Sequence, residues 1–337
     1  MDFTEWFPTR CFPNLDGELR AQMGYLGPLR LTAPFFRQSL GQAREAFPGV
    51  PPVEQRLEDL ERLCAAVGRE PTGFIFHMSR CGSTLVSRML ASLDRALVIS
   101  EPEAINDLLL PAPARRPFDQ VRWLRTLLRA FDKRPRGGAD WFVVKFSSWN
   151  VLEQQRILAA FPRTPSVFIF REPIEVMISI LRQPTGWLRW KADPQLGPYV
   201  SGLPAGQLAQ LADEEFCACA LSHFCRAALS AGQHAPPLVP LDYAQLPAAG
   251  WTIIPRLFGM DLTAREVELM RVASRIDAKD PAGHRLFEPD GQLKRQLATP
   301  SAEQVAKQWA AGVIAQLRAL SPAAGLPFSA VRPVNPS

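Results

Sequence analysis

The most constraining stretch of this chain is Gly73-Phe74-Ile75-Phe76-His77, an apolar run too short for a helix that passes straight into a polar turn. The turn, Met78 to Gly82, leads into a helix-period stretch from Ser83 to Leu93. Further short apolar runs follow at Ala96 to Ser100, Trp141 to Phe146, Ser166 to Phe170 and Leu238 to Leu241, with helix-like segments between them. Continuous apolar strands of this kind are buried on both faces, so the pattern predicts an α/β chain with a central parallel sheet flanked by helices. In such sheets ligands bind beyond the carboxyl ends of the strands. The polar clusters of this chain fall at those ends.

Composition limits the alternatives. The 337 residues, 47 % hydrophobic and 21 % charged, can bury a large core and do not have the make-up of a disordered chain. A net charge of +5 suits an anionic ligand, though it equally fits an ordinary basic globular protein. No long block of like charge argues for a nucleic-acid-binding arm. Met1 to Pro8 carries neither the basic nor the apolar region of a signal peptide, and no uninterrupted apolar run of about 18 residues predicts a membrane span. The 6 cysteines are too few for a disulfide scaffold, so a reducing, cytoplasmic location is expected. Cys217, Cys219 and Cys225, with His223 nearby, lie in a helix-like stretch from Asp213 to Ala231. Their spacing is not that of zinc knuckles, and buried thiols are expected instead.

Residues 1–70 read as an extension packed on the core formed by 71–337. The extension holds proline-broken aromatic segments such as Pro34-Phe35-Phe36. An amphipathic helix is predicted from Val53 to Ala66, with Leu57, Leu60, Leu63 and Cys64 on one face.

The turn after the first core run carries the chemistry. A strand–loop–helix junction directs backbone N–H groups and a helix N-terminus at an anion. Here Gly82 permits close approach, Ser83 and Thr84 add hydroxyls, and Arg80 adds a permanent charge. An ordinary strand-to-helix turn with Ser83 as N-cap has the same local pattern. The GxxxxGK[ST] signature of nucleoside-triphosphate loops is absent. Arg80-Cys81-Gly82-Ser83-Thr84-Leu85 resembles the 5'-phosphosulfate loop of sulfotransferases that use 3'-phosphoadenosine 5'-phosphosulfate (PAPS). Cys81 departs from the family's serine at that position, and the arginine at position 80 resembles the Golgi-type and bacterial branches. At the fourth core run, Phe170-Arg171-Glu172-Pro173 followed by Ser179 resembles the family's 3'-phosphate motif, with a serine eight positions after the arginine. Arg171 can grip a phosphate with two parallel N–H bonds. Pro173 suits a first helical turn.

The resemblance covers about residues 73 to 310 and implies a three-layer P-loop-like fold, PAPS as sulfuryl donor, its product adenosine 3',5'-bisphosphate (PAP), and no metal. The acceptor it leaves open: a small molecule, a glycan or a peptide. The family's K-T-H stretch corresponds to Lys145-Phe146-Ser147, so serine stands where cytosolic relatives place a catalytic histidine. Glu101, 21 positions after Arg80, resembles the glutamate base of protein-tyrosine and glycan sulfotransferases. Ser100-Glu101-Pro102-Glu103 also fits a capping box, with Ser100 as N-cap and Glu103 at N3, leaving Glu101 to face the cleft. Lys145, with Arg80, resembles the cations that meet the leaving oxygen. Lys294 and Arg295, ahead of Lys307 and Trp309, resemble a C-terminal strap that closes on the 3'-phosphate, and the aromatic residues Trp187, Trp190 and Tyr199 are candidates for an acceptor wall. The expected site is thus Glu101, Lys145 and Arg80 for catalysis, and Arg80, Cys81, Gly82, Ser83, Thr84, Arg171, Ser179, Lys294 and Arg295 for the nucleotide. Two other readings remain at this point: a kinase-like or nucleotide-hydrolysing enzyme, and a catalytically inactive PAP-binding protein.

Overall fold

The computed structural model describes residues 3–111, 120–133, 140–231, 238–277, 280, 285–287 and 290–322. The chain begins with an antiparallel sheet of β1 (Trp6–Pro13), β2 (Leu19–Tyr25) and β3 (Val53–Arg56). Helix α1 (Phe36–Ala46) lies between β2 and β3, and α2 (Leu57–Val67) follows β3 directly. The predicted helix from Val53 is therefore shorter at its start. Val53 to Arg56 pair instead with Met23 to Arg20 across the sheet, a long-range contact that local periodicity does not register. Leu57, Leu60 and Cys64 are buried as expected, but Leu63 is exposed and leaves the packed face. The prolines hid β1: Pro8 sits where the register of β1 on β2 shifts, a place where a missing N–H does little harm.

The second sheet is the core of the molecule. Its strands are β4 (Gly73–His77), β5 (Ala96–Ser100), β6 (Trp141–Lys145), β7 (Ser166–Phe170) and β8 (Leu238–Asp242). All pair in parallel, in the order β5-β6-β4-β7-β8. Every residue of β4, β6 and β7 is buried, which requires cover on both faces. The stacked pair Phe76 and Phe146, with ring centroids 4.9 Å apart, and Phe74 at 5.2 Å from Phe146 form part of that cover. Among the helices are α3 (Ser83–Ala91), α4 (Glu103–Leu109), α5 (Gln120–Arg129), α6 (Gln154–Ala160) and α7 (Pro173–Arg182). Long helices at Asp213–Ala231 and Pro300–Leu320 complete the set used below.

The strand order sets where a ligand can bind. The chain leaves β4 for the β5–β6 side and later returns to β7 on the other side, so β4 is the switch point of the sheet. The Met78–Gly82 turn projects from that point. The antiparallel sheet is tied to the core through α4, where Asp107 accepts two bonds from Arg10 (2.7 and 3.1 Å) and one from the Cys11 N–H (3.0 Å). Cys217, Cys219 and Cys225 are buried free thiols, as expected. Among the described residues no helix is long and apolar enough to cross a membrane.

Phe74 is fully buried against Phe76, Phe146 and Phe161. Phe74→Ala is expected to lower the unfolding free energy by about 3–5 kcal/mol, read from urea midpoints at constant m.

Candidate functional site

The turn after β4 is held in an unusual backbone shape. Ser79 (φ 83°) and Arg80 (φ 47°) both occupy the left-handed region, as does Gly82 (φ 88°). Non-glycine residues enter that region at a cost of about 1–3 kcal/mol each and stay there only when their surroundings hold them. Gly82 is the N-cap of α3, so Ser83 is the first helical residue rather than the cap. A Cβ on Gly82 would stand 2.9 Å from both Tyr243 and Leu246, so the position has no room for a side chain. The backbone N–H groups of Arg80, Cys81, Gly82, Ser83 and Thr84 donate to no backbone carbonyl among the described residues, and all five residues line a cleft. A turn with its N–H groups left open in this way has the form that an anion-binding loop requires. Cys81 takes a different part from the serine it replaces. Its thiol points inward, fully buried, and donates to the Ile169 carbonyl at 3.0 Å, tethering the turn to β7.

Glu101 begins where β5 ends, and it too is left-handed (φ 55°). This turn overrides the predicted capping box. The N-cap of α4 is Pro102, Glu103 is its first residue, and no side chain caps it. The Glu101 N–H donates instead to the Lys145 carbonyl at 2.7 Å, which carries the pairing of β5 and β6 one residue past their ends. The Glu101 carboxylate accepts from Lys145 Nζ at 2.6 Å, and His77 Nε2 lies 3.7 Å away. Lys145 is fully buried while the Glu101 side chain is 28 % exposed, so the carboxylate faces the cleft and covers the ammonium. Lys145 is accordingly not part of the cleft wall, although it lies just beneath it. The Phe35 ring sits 4.9 Å from Nζ. Burial pushes the Glu101 pKa upward, but Lys145 and His77 together outweigh it and hold the carboxyl at about 2.

The second sequence-predicted motif lies at the end of β7. Arg171 is 5 % exposed and stacks on the Tyr243 ring, with its guanidinium carbon 4.1 Å from the centroid. Its Nε donates to Glu175 at 2.6 Å and its Nη2 to Asp290 at 3.2 Å. Lys294 and Arg295, on a short helix at Gly291–Gln296, join the same cluster. Lys294 pairs with Asp290 at 2.7 Å, and Arg295 with Glu175 at 2.7 Å. Burial acts to raise the Asp290 pKa, but Lys294 and Arg171 bring it below the usual carboxylate value. Pro173 is the first residue of α7, with Glu172 as its N-cap, and Ser179 faces the cleft two turns on.

One cavity of about 1360 Å³ runs along the carboxyl ends of the sheet. It is lined by His77, Glu101, Ser147, Arg171 and Tyr243, which end or follow β4 to β8 in turn, and by Ser79 to Thr84 of the turn and helix start after β4. Ser179 and Lys294 also line it; Arg295 does not, being engaged with Glu175 outside the wall. Ser147 accepts from Asn106 Nδ2 at 3.0 Å. Trp187 and Trp190 reach the cleft, whereas Tyr199 turns away and donates its hydroxyl to Glu153 at 2.8 Å. Three further features escape a linear reading of the sequence. His77 is a polar residue at the last position of an apolar strand, which is its one sequence signal. Tyr243 directly follows β8, and Phe35 arrives from the N-terminal extension. Among the described residues no group of three or more His, Cys, Asp or Glu side chains is placed to hold a metal ion.

No known family model matches this chain, and no curated protein matches it. The arrangement itself therefore has to carry the chemistry: the turns that bear Arg80 and Arg171 open on one cleft, with a carboxylate–ammonium pair beside the first of them.

The paired Glu101 ties stability to pH. Its folded pKa lies below its unfolded value of 4.5, so its contribution is complete above pH 4.5 and is lost as pH falls toward 2. Glu101→Gln, which leaves a buried ammonium without its counter-charge, is expected to cost about 3 kcal/mol at neutral pH. Urea titrations of the two proteins should show that gap closing between pH 4.5 and about 2.

Proposed function

We propose that this chain is a PAPS-dependent sulfotransferase on a P-loop-like fold, transferring a sulfuryl group to an acceptor hydroxyl or amine. The observation that carries the reading is that Arg80 and Arg171, each at the head of its own anion motif, line the same cavity. The turn around Arg80 would take the 5'-phosphosulfate. Arg171, Ser179 and Lys294 would take the 3'-phosphate, with Arg295 behind them. The cavity volume of about 1360 Å³ exceeds the range of about 300–1000 Å³ usual for one small ligand, which favours a site for two substrates. Buried polar atoms without a partner among the described residues, Asn106 Oδ1, Thr185 Oγ1 and Trp187 Nε1, belong to residues of its wall and suit the polar groups of an acceptor.

The chemistry follows from these positions. The acceptor oxygen forms a bond to sulfur and gives its proton to Glu101 Oε. The bond from sulfur to the bridging phosphate oxygen breaks, and the electron pair leaves with PAP. Arg80, the N–H groups of the turn and Lys145 meet the charge that develops on that oxygen. While paired with Lys145, a carboxylate with a pKa of about 2 is a weak base. When Lys145 turns to the leaving oxygen, Glu101 loses the charge that depresses its pKa and becomes a better proton acceptor. Departure of the anion and uptake of the proton are thereby coupled through one ion pair. The turn has no lysine of the kind that reaches the outer phosphates of a nucleoside triphosphate, which favours PAPS over ATP.

Thermal unfolding with PAP, AMP and ATP tests the donor assignment. PAP is expected to stabilise selectively, by about 2.7 kcal/mol at a hundredfold excess over Kd. Arg171→Ala should erase the preference of PAP over AMP. Equal shifts with PAP and AMP in the unaltered protein would refute the reading. Glu101→Gln should retain PAP binding and lose sulfuryl transfer from PAPS.

A further inference from the structure

His77 is the least expected member of the site, and its two ring nitrogens have opposite tasks. Nε2 lies 3.0 Å from the Phe146 carbonyl, which can only accept, so Nε2 must carry a proton. Nδ1 receives the Ser79 N–H at 3.1 Å, so Nδ1 must be bare. The backbone on either side thus selects one species, the neutral Nε2–H tautomer. The ring is 5 % exposed, so water offers Ser79 little alternative. Ser79 is the first left-handed residue of the anion turn, and Arg80 the second. The bond from Ser79 to Nδ1 is therefore placed where the backbone departs from the strand. Cys81 anchors the turn to β7 from the other side.

We propose that His77 is a positioning residue: as a neutral ring it locks the strained 79–82 turn in its anion-receiving shape, and a second proton on the ring unlocks it. The inference rests on the reading of that turn as an anion cradle. A proton on Nδ1 would set two donors, Nδ1–H and the Ser79 N–H, against each other at about hydrogen-bond distance. The charged neighbours of the ring are Glu101 at the end of β5 and Lys145 at the end of β6, which form an ion pair with each other. Burial lowers the His77 pKa first, and Lys145 lowers it further. Glu101 and the Phe146 carbonyl oppose them without prevailing, so the ring stays neutral at pH 7 and the lock opens only in acid. The sign for stability is the same. The unfolded chain takes up a proton below pH 6.5 that the folded chain refuses, so stability declines as pH falls from there.

Two measurements on the full chain test this: calorimetric affinity for PAP from pH 5 to 8, and hydrogen exchange of the Ser79 amide by NMR. His77→Asn places an amide oxygen near the Nδ1 position but cannot titrate, whereas His77→Leu offers no acceptor. At pH 7, His77→Asn is expected to bind PAP within about threefold of the unaltered protein, and His77→Leu about tenfold more weakly. As pH falls from 7 to 5 the unaltered protein should lose more affinity than His77→Asn, because only its ring can take up the unlocking proton. The titration of the ligand phosphates near pH 6 is common to both proteins and cancels in that comparison. Ser79 exchange should be slow in the unaltered protein and His77→Asn, and fast in His77→Leu. Equal pH dependence in the unaltered protein and His77→Asn, or unchanged affinity and Ser79 exchange in a folded His77→Leu, would overturn the lock. Absence of PAP binding by the unaltered protein, with the Ser79 pattern as expected, would instead sink the sulfotransferase reading and leave the lock standing.

Discussion

A strand buried on both faces cannot carry a polar side chain along its length, so polar groups collect at its ends. In this chain the rule applies to five strands at once, and all of them point the same way. The result is a row of polar side chains along one edge: Glu101, Ser147, His77, Arg171 and Tyr243, in the order in which β5, β6, β4, β7 and β8 lie side by side. The cleft is thus a by-product of how the core is covered. Its centre falls at β4 because the chain reverses its direction of winding there, which leaves the turn after β4 open between its neighbours.

Left-handed residues convert this row of ends into a site. Ser79, Arg80 and Glu101 each leave their strand through a backbone conformation that a side chain disfavours. Each is compensated locally: Ser79 by the His77 ring, Arg80 by a bond to the Gln183 carbonyl at 2.9 Å, and Glu101 by the Lys145 carbonyl. Strain of this kind is stable only inside a rigid frame, and the frame is the phenylalanine-rich core directly beneath. The stacked Phe76 and Phe146 rings flank the strand ends that bear His77 and Lys145.

Charge is arranged with equal economy. Lys145 faces Glu101, Arg171 faces Glu175 and Asp290, and Lys294 faces Asp290. A buried cation without a partner would be costly, so these carboxylates stabilise the protein before any ligand arrives. An anion bound as proposed would exchange partners with them, and the net gain on binding would be smaller than the number of cations alone suggests. Gly291 sits close against the Arg171–Glu175 pair, where a Cβ would come 3.0 Å from Glu175, so the helix bearing Lys294 and Arg295 closes tightly on this cluster.

Much of this was legible along the chain. The apolar runs at 73–77, 96–100 and 166–170 coincide with β4, β5 and β7, because a run buried on both faces needs no partner to be recognised. The half-buried strands β1 to β3 were not legible. Pro8 interrupts β1, and the pairing of β2 with β3 joins residues 20–23 to 53–56 across an intervening helix. The capping-box pattern at Ser100–Glu103 was misleading for a related reason: the pairing of Glu101 with Lys145, 44 positions away, outweighs a local hydrogen bond.

What the linear order of residues determined is therefore the series of strands, turns and helices, and the residue types delivered to each strand end, since apolar periodicity acts over a few neighbouring positions. Tertiary structure alone decided which of those ends meet. It turned Cys81 inward, sealed Lys145 beneath Glu101, drew Phe35 into the wall and set His77 under the anion turn. Those outcomes depend on the order of strands in the sheet and on three left-handed residues, and neither is encoded by the pattern of nearest neighbours.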